Sequence, residues 1–441
     1  MKTTKIEQGK LDINSFGGNC LTGALLSGCK LPDHFYNHRK DKVGDSNIIF
    51  SMIGMLSAGK SSFADITLFE NDRQFKHAFE LTRTPSQEAL RQNLNTLAIK
   101  ASTFSAVDDL HMKVLRKMSF SPIPCKSGNY FPLDIDVTPL DNSKSIKEGV
   151  SLTYKLFDGY APIMAYLGHE GYLVDSEFRV GKQHCQKETP LFLEGVISRS
   201  KSLLPSDSKF LIRMDGGNDA AENLGVMSLP NVFWVVKRNM RQEPKEYWLE
   251  MAKVVGDLVL DDGYKRTYIG ILSHTEAKID KEKIPADIVF KVTETYATPE
   301  GQLEMMNVIE AETFWSNLPE SPADVIELYH AHGTSEQFHS EFKTDMGVER
   351  LPSGKFATNK LVFQMAMIAF NLLRRIGVDM VEHSPESVKK KGVTRRKHRT
   401  VLQQIIYTGC QFIMKARQAT IRFGKHCASY RVIQQLYEAY R

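Results

Sequence analysis

The stretch Leu133-Asp-Ile-Asp-Val-Thr138 alternates apolar and polar side chains with the period of a β-strand. The apolar side chains fall on one face, and Asp134, Asp136 and Thr138 fall on the other. A strand of this kind buries its apolar face in a core. The stretch therefore predicts a sheet that carries two carboxylates on a single face.

A second strand candidate, Phe210-Leu-Ile-Arg-Met-Asp215, is mostly apolar until it ends in an aspartate, which Gly216 and Gly217 follow. Sites in α/β proteins form at the carboxyl ends of strands, so the pattern predicts that Asp215 lies at such an edge. An aspartate at a strand end is also a common turn residue, and this pattern alone does not separate the two interpretations.

Further strands are predicted around these two. Strand candidates occur at 131–138, 151–157, 161–167, 171–180, 209–215 and 232–238, with a helix at about 189–203. Residues 240–318 continue with strand-like runs, and two long helices are predicted at about 322–345 and 358–377. The predicted fold class is therefore α/β, with a β-rich segment and helical regions towards both ends of the chain.

The N-terminal region, 1–120, is predicted to be helical because apolar residues recur there at helical spacing. Thr84 is the predicted N-cap of a helix that begins at Pro85, with Gln87 completing a capping box. Short helices with tight turns are typical of helix-turn-helix DNA-binding units, although a plain helical subdomain fits equally well.

Residues 54–61, GMLSAGKS, match the phosphate-binding P-loop pattern G-x-x-x-x-G-K-[ST]. A functional P-loop connects a buried strand to a helix, whereas the residues between these glycines continue a helical apolar pattern from Ile48. Gly59 then fits a helix C-cap, and Ser61 or Ser62 fits the next N-cap. We therefore predict that the match is accidental and that the chain is not a P-loop NTPase.

The overall composition is that of an ordinary soluble protein with room for several domains: 441 residues, 42% hydrophobic and 25% charged. The N-terminus shows no apolar signal-peptide core, and the longest apolar run, 361–373, is too short to cross a bilayer. The six cysteines form no C-x-x-C pair, so neither a zinc knuckle nor a disulfide framework is predicted. The expected location is the cytoplasm.

Positive charge is concentrated at the C-terminal end. From Lys389 onwards lie 13 of the 57 Lys and Arg residues but only one of the 52 acidic residues, Glu438. Apolar residues continue through this region at roughly helical spacing, so a folded, basic helical region at 385–441 that binds nucleic-acid backbone is predicted over a solvated tail. The predicted DNA-binding residues are Arg395, Arg396, Lys397 and Arg399.

The segment 329–343, YHAHGTSEQFHSEFK, carries the most specific polar pattern. On a helix, Tyr329, His332, Glu336 and Lys343 fall within an arc of about 60°, and apolar residues fall opposite. A carboxylate beside groups that bind phosphate suits metal-dependent phosphoryl transfer. An ordinary amphipathic helix would show the same periodicity.

Together these segments resemble the DDE-type transposases of bacterial insertion sequences, in the group with the signature Y-x2-R-x3-E-x6-K. Tyr329, His332, Glu336 and Lys343 stand at those spacings, with histidine in place of the arginine of the family. A neutral imidazole lacks arginine's fixed charge and forked donors, so this departure weakens the expected phosphate contact and leaves the carboxylate unaffected.

The resemblance extends to the aspartates. The family's first aspartate stands in the context D-x-T, which matches Asp136, with Asp134 as the alternative, and its second matches Asp215. The resemblance implies that Asp136, Asp215 and Glu336 are catalytic and bind the metal. It also implies an RNase H-like core in two parts, 125–239 and 319–380, interrupted by a β-rich insertion domain at 240–318.

The chemistry that the resemblance implies uses two Mg²⁺ ions, or Mn²⁺, to cleave the 3′ ends of an element and join them to target DNA. The implied partners are double-stranded DNA, both terminal inverted repeats and target, and a second copy of the chain in a synaptic complex. Tyr329, His332 and Lys343 would position the strand in a bacterial, nucleoid-associated enzyme. A nuclease or DNA-binding relative without strand transfer is the alternative.

The same resemblance directs attention to Trp248 and Trp315, because an aromatic residue of the insertion domain stacks on an unpaired base in relatives. Burial in the core is the more common state of a tryptophan and is favoured for both.

Overall fold

The computed structural model describes residues 4–36, 43–279, 282–298, 303–383 and 393–441. Its α-helices are α1 (Asn19–Leu26), α2 (Asp45–Ser57), α3 (Arg73–Ala78), α4 (Gln87–Leu97), α5 (Ala101–Leu115), α6 (Thr189–Leu203), α7 (Ala221–Met227), α8 (Lys245–Val255), α9 (Pro322–His330), α10 (Thr334–Ser340), α11 (Phe356–Glu382), α12 (His398–Val401) and α13 (Tyr430–Tyr440).

Its strands are β1 (Ile123–Cys125), β2 (Gly128–Val137), β3 (Leu140–Asp141), β4 (Ser151–Leu152), β5 (Asp158–Tyr160), β6 (Ile163–Leu167), β7 (Tyr172–Glu177), β8 (Lys209–Met214), β9 (Val232–Lys237), β10 (Asp257–Asp261), β11 (Lys265–Ile279), β12 (Glu282–Ala297), β13 (Leu303–Ser316), β14 (Cys410–Lys415) and β15 (Gln418–Phe423). The predicted helix at 189–203 is α6, and each predicted strand between 131 and 238 except 151–157 corresponds to one observed strand.

The chain forms two compact units, and each is assembled from separate stretches of sequence. The helical unit comprises Met1–Met118, Leu140–Val150 and Ser340–Arg441, and the sheet unit comprises Ser119–Pro139 and Ser151–His339. The predicted N-terminal and C-terminal regions thus belong to one unit. The change of unit after residue 339 falls within the segment predicted as the second part of the core.

A single mixed sheet organises the sheet unit, in the order β10-β11-β12-β13-β9-β8-β2-β6-β7, with β1 added on β2. Strand β2 is parallel to β8 and antiparallel to β6, and β8 is parallel to β9. The long antiparallel strands β10 to β13 join this arrangement because β13 pairs with β9. The β-rich segment predicted as an insertion therefore continues the same sheet.

One face of this sheet is covered by the helix α9. Tyr130, Leu211 and Val235 from three neighbouring strands pack with Val325 and Ile326 of the helix. The registers of β2, β8 and β9 place Asp134, Asp136 and Arg213 on this same face, because side chains two residues apart share a face. The polar face of β2 is therefore partly buried beneath α9 and the segment that follows it.

The helical unit is built around α11, whose side chains at Phe363, Ile368, Phe370 and other positions are buried. By length and composition this helix could cross a membrane, but 83% of its most apolar window is buried. Its packing against α2 and α5 makes it the central core helix of the unit.

The P-loop match lies at the end of α2 and not in a loop between strand and helix. The helix runs to Ser57, and Gly59 follows with φ +64°, the left-handed conformation of a C-cap. Ser62 caps the next turn in a capping box with Asp65. Gly54 is packed so closely that an added Cβ would lie 2.7 Å from Phe75. The prediction of an accidental match agrees with this geometry.

Three local predictions are corrected by the structure. Ser86, and not Thr84, caps α4, by accepting a hydrogen bond from the Ala89 amide. The helix predicted at 322–345 is interrupted: α9 ends at His330, a 3₁₀ turn follows, and a π-helical turn continues α10 over Glu341–Asp345. The basic C-terminal region, predicted to be helical, contains the hairpin β14–β15 between α12 and α13. The lysine run at 389–391 lies outside the described residues.

Candidate active site

The carboxylates of Asp136 and Asp215 are brought together by the parallel pairing of β2 and β8. The register pairs Asp134 with Arg213 and Ile135 with Met214, so the next position places Asp136 beside Asp215. Neighbouring strands are about 4.8 Å apart, which sets the scale of this approach. Two aspartates 79 residues apart in sequence thus share one sheet edge, as the pattern of the two strands predicts.

The environment of the two carboxylates is polar and partly closed. The Asn218 side chain donates to Oδ1 of Asp215 at 2.7 Å, and the Val137 amide donates to Oδ1 of Asp136 at 2.7 Å. Burial, and then the neighbouring Asp136 carboxylate, raises the pKa of Asp215. A pair of carboxylates that repel each other in a half-buried position is a favourable place for a cation.

Asp134 occupies a different environment although it is only two residues away from Asp136. It is 3% exposed and accepts two hydrogen bonds from Arg213, at 2.6 and 2.8 Å. The His332 Nδ1 atom lies 3.0 Å from Oδ1 of the same carboxylate. Burial by itself would raise the pKa of Asp134, but Arg213 and His332 outweigh it and hold the pKa below its ordinary value. This carboxylate is committed to a buried ion pair, which leaves Asp136 as the accessible member of the two.

His332, predicted to contact DNA phosphate, is buried against Asp134 and is 8% exposed. The structure therefore gives this imidazole a partner inside the protein. The same contact anchors the turn between α9 and α10 to β2.

His339 is a residue near the site that the sequence pattern did not single out. Its Nε2 atom lies 3.4 Å from Oδ2 of Asp136, and its Nδ1 atom lies 3.1 Å from the Tyr166 hydroxyl. His339 is seven residues after His332, so both fall on the same side of a helix. The sequence signal for His339 was therefore this spacing: two histidines on one side of a helix could face the two aspartates on one face of β2, Asp134 and Asp136.

Glu336 lies in α10, between the two histidines that contact β2, and its side chain is exposed. It is four residues after His332 and three before His339, and unlike these two buried histidines it is exposed. Within the described ranges of the chain, no three His, Cys, Asp or Glu side chains converge as a metal site. The structure thus joins Asp136 to Asp215 but does not bring Glu336 into the same cluster.

Two tyrosine side chains, Tyr154 and Tyr329, lie near the carboxylate pair. Burial and then the nearby carboxylates, Asp136 and Asp215 among them, raise the pKa of both Tyr154 and Tyr329. The Tyr154 hydroxyl donates to the Val137 carbonyl at 3.2 Å. Tyr329 packs on Phe314 with ring centroids 4.6 Å apart. Both phenols therefore keep their protons at neutral pH.

The remaining predicted DNA-binding residues belong to the helical unit. Lys343 is half-buried in the π-helical turn. Arg395 is held by Glu341, a residue 2% exposed, through a 2.6 Å hydrogen bond, so its guanidinium faces the interior. Arg396 is half-buried, whereas Lys397 and Arg399 are exposed.

Trp248 and Trp315 are buried, at 2% and 5% exposure. Both flank the Arg238 guanidinium, at 5.5 and 4.5 Å from the ring centroids. The Trp315 indole donates to Asp219 at 3.0 Å. The core interpretation of both tryptophans agrees with this packing.

Comparison with known proteins places this site in context. The family model described as Transposase DDE domain group 1 matches residues 31–441. Among solved structures, the chain is similar to one from the cryo-EM structure of a piggyBac transposase synaptic complex with hairpin DNA, with a TM-score of 0.42 and 11% identity, over 89% of this chain and 80% of that one. The comparison with curated proteins gives no match. Since the family model spans most of the sequence, the chain belongs to the DDE transposases, in the family Transposase DDE domain group 1.

Proposed function

We propose that the protein is the DNA transposase of an insertion sequence. It binds the terminal inverted repeats of the element, cleaves its 3′ ends and joins them to target DNA. The observation that carries the proposal is the Asp136–Asp215 pair at one sheet edge, within a chain of the DDE family. The proposed active species is a homodimer on DNA, because both ends of an element must be cut together.

The residues at the carboxylate pair fit a hard divalent cation. Carboxylate oxygens are the ligands that Mg²⁺ and Mn²⁺ prefer. Burial and the negative neighbour both disfavour the ionised form of Asp215, and a bound cation relieves both effects. Asp136 and Asp215 would hold the metal, and Glu336 is the proposed third ligand in a site for two Mg²⁺ ions.

The support for Glu336 is its position on the chain. The histidines on either side of it in sequence contact Asp134 and Asp136, so the segment 332–339 lies along β2. When bound, the divalent cations would activate the attacking water or 3′-hydroxyl and stabilise the leaving oxygen of the DNA strand.

The protein's own residues hold these groups in place. The Val137 amide and the His339 imidazole fix the carboxylate of Asp136, and Asn218 fixes that of Asp215. Tyr329, which keeps its proton, can donate a hydrogen bond to a phosphate oxygen of the substrate strand, whereas the Tyr154 hydroxyl already donates to the Val137 carbonyl.

Backbone contacts are assigned to cations of the helical unit. Lys343, Arg396, Lys397 and Arg399 are proposed to bind DNA phosphates, and binding through such contacts weakens steeply with salt. Arg395 is left out of this set because it neutralises the buried Glu341.

A second candidate function is a nuclease that cleaves the ends but does not join them. It is favoured by one observation, the burial of His332 against Asp134 where the family signature has an arginine. Under this alternative the site retains hydrolysis but holds the second DNA substrate too weakly for strand transfer.

The test uses a plasmid that carries the DNA immediately flanking the coding sequence, with purified protein and Mg²⁺. We expect nicks with 3′-hydroxyl ends and then joined products; ends that are cut but never joined would support the nuclease instead. Asp136→Asn, Asp215→Asn and Glu336→Gln should each abolish cleavage and keep DNA binding. Glu327→Gln, which changes an exposed acid on α9, is the matched control and should cleave normally. Cleavage that persists in the Asp136 or Asp215 variant would refute the proposed site.

A further inference from the structure

The hairpin β14–β15 has two chemically distinct faces. Its register pairs Cys410 with Phe423 and continues to Lys415 opposite Gln418. Because side chains alternate along each strand, one face is apolar and the other is polar. The apolar face comprises Cys410, Phe412, Met414, Ala419, Ile421 and Phe423, and the polar face comprises Gln411, Ile413, Lys415, Gln418, Thr420 and Arg422.

The apolar face is the one that packs on the protein. Cys410 and Phe412 are 2% and 8% exposed. The Phe412 ring lies 5.1 Å from that of His77, and the Arg73 guanidinium lies 5.8 Å from its centroid, so α3 covers this side. The polar face is therefore turned outward, and Gln418, Thr420 and Arg422 alternate as exposed residues along β15.

The hairpin strands and the chain on either side of them carry charge of a single sign. Between Glu386 and Glu438 the sequence contains no acidic residue. Lys415, Arg417, Arg422 and Lys425 are all exposed on or beside the hairpin. A surface with this balance is complementary to a polyanion.

The turn of the hairpin also departs from ordinary turn chemistry. Ala416 and Arg417 have φ values of +47° and +67°, where two-residue hairpin loops strongly prefer asparagine and glycine. A non-glycine residue in this conformation carries a conformational cost. In return, the turn places an arginine at the exposed tip.

We propose that the polar face of β14–β15 enters the major groove of duplex DNA and recognises base edges. A two-stranded ribbon fits this groove, which is about 12 Å wide, whereas the major groove of duplex RNA is too narrow. Arginine, glutamine and threonine are side chains that bond base edges, and here Gln411 and Arg422 lie directly opposite each other. Lys415 and the tip residue Arg417 bind the adjoining phosphates. The inference rests on the proposed function for its choice of DNA as the partner.

The experiment isolates bound duplexes from a library of random 20-base-pair DNA, using the full chain in Mg²⁺-free buffer, and sequences them. Wild type should enrich a motif. Arg422→Lys keeps the charge and loses the forked donors, so it should bind unselected DNA with unchanged affinity and lose roughly tenfold discrimination at one base pair. Gln411→Ala should relax a neighbouring position. Arg431→Ala, in the first turn of α13, is the control that removes an exposed cation outside the two hairpin strands and should keep the full motif.

Two results would overturn the inference: the absence of any motif with wild type, or an identical motif with Arg422→Lys and Gln411→Ala. Equal competition by a 20-base-pair RNA duplex or by polyglutamate would show that the hairpin is a general polyanion surface and would also overturn it. In the same selection from random duplexes, the Asp136→Asn variant should enrich the same motif as wild type. Because this variant tests cleavage separately, failure of the proposed active site and failure of hairpin recognition give different results.

Discussion

Asp134 and Asp136 provide a matched test, since the same substitution can be made at two positions of one strand with opposite expected outcomes. Asp134→Asn removes the charge that neutralises Arg213, which is 4% exposed. Asp136→Asn removes a carboxylate that is 23% exposed and whose closest cationic candidate is His339 at 3.4 Å. We expect the first variant to lose stability and the second to lose activity.

The magnitude follows from the burial of the pair. Leaving a buried charge without its partner costs about 3–5 kcal/mol, which is a large part of the 5–15 kcal/mol by which proteins are typically stable. The neutral amide that Asp134→Asn introduces would keep only part of the hydrogen bonding to Arg213. At the partly exposed position of Asp136, substitution should change stability by about 0.5 kcal/mol at most, in the stabilising direction, because it relieves repulsion with Asp215.

Tryptophan fluorescence during urea unfolding measures this difference. All three tryptophans, Trp234, Trp248 and Trp315, lie in the sheet unit and are buried, so the signal reports the unit that contains the pair. With a slope of about 2 kcal/mol per M, Asp134→Asn should lower the urea midpoint by about 2 M. Plasmid cleavage is measured in parallel, below the midpoint of each variant.

The reasoning would be refuted by the reverse pattern. If Asp134→Asn unfolded like wild type and lost cleavage, while Asp136→Asn retained cleavage, then Asp134 would be the first catalytic carboxylate. Equal destabilisation by both variants would show that Asp136 is also held in an essential structural contact.

Three further outcomes are expected. Lys60→Ala should not change plasmid cleavage, and neither wild type nor this variant should show ATP-dependent activity, because the P-loop match is the end of a helix. If the variant lost cleavage and ATP analogues inhibited the wild type to the same extent, this expectation would be contradicted. Arg395→Ala should lower the melting temperature of the helical unit, seen by circular dichroism, more than it lowers DNA affinity, because buried Glu341 loses one of its two arginine partners and keeps only Arg374; the opposite ranking would return this arginine to the DNA-binding set. Burial and the Asp136 carboxylate raise the pKa of Asp215. In the pH window between the ordinary aspartate pKa and this raised pKa, the folded state therefore binds more protons than the unfolded state. The free energy of unfolding measured without divalent cations should fall as the pH rises through this window. Asp215→Asn should therefore stabilise the chain above the window and have no effect below it, measured by urea unfolding in chelator at several pH values.

Much of the sheet unit could be predicted because its strands carry local signals that agree with their tertiary environment. The segment 209–214 is mostly apolar and is followed by Asp-Gly-Gly at 215–217, and α6 has an apolar pattern with Pro190 at its start. The extension of the sheet into β10–β13 was not predictable, because the pairing of β13 with β9 connects residues about 80 apart in sequence. Neither strand carries a local signal for its partner.

The C-terminal hairpin was missed for a different reason. Its apolar residues fall at positions that both a helix and a strand tolerate, and the turn at Ala416 and Arg417 contains neither glycine nor asparagine. Turn recognition from sequence depends on residues that favour positive φ, so a turn without them gives no signal. The two-residue period of Cys410, Phe412 and Met414 was the one indication of a strand.

The approach of Asp136 to Asp215 could be predicted from the sequence, whereas the course of the segment 329–343 could not. The arc calculated for residues 329–343 assumes a regular helix, whereas the chain passes through a 3₁₀ turn and a π-helical turn within this segment. Each irregular turn changes the angle between successive side chains, so side chains that a regular helix would place on one face point in different directions in the structure. His332, which was expected to contact DNA, faces Asp134, and His339, outside the signature, faces Asp136.

The two aspartates of β2 have contrasting environments, which separate a stabilising role for Asp134 from the catalytic role proposed for Asp136. Asp134 is neutralised by Arg213 and His332 and ties the turn after α9 to the sheet, so its charge is fully used inside the protein. Asp136, one pleat further along, is left beside a second carboxylate, and no arginine in the described part of the chain forms an ion pair with either. The inner pair fixes the position of the strand and of the segment 332–339, and that fixed frame is what allows the outer carboxylates to be held close despite their repulsion. A substitution of Arg213 should therefore lower the urea midpoint by an amount similar to that of Asp134→Asn, because each change leaves one member of the buried pair without its partner.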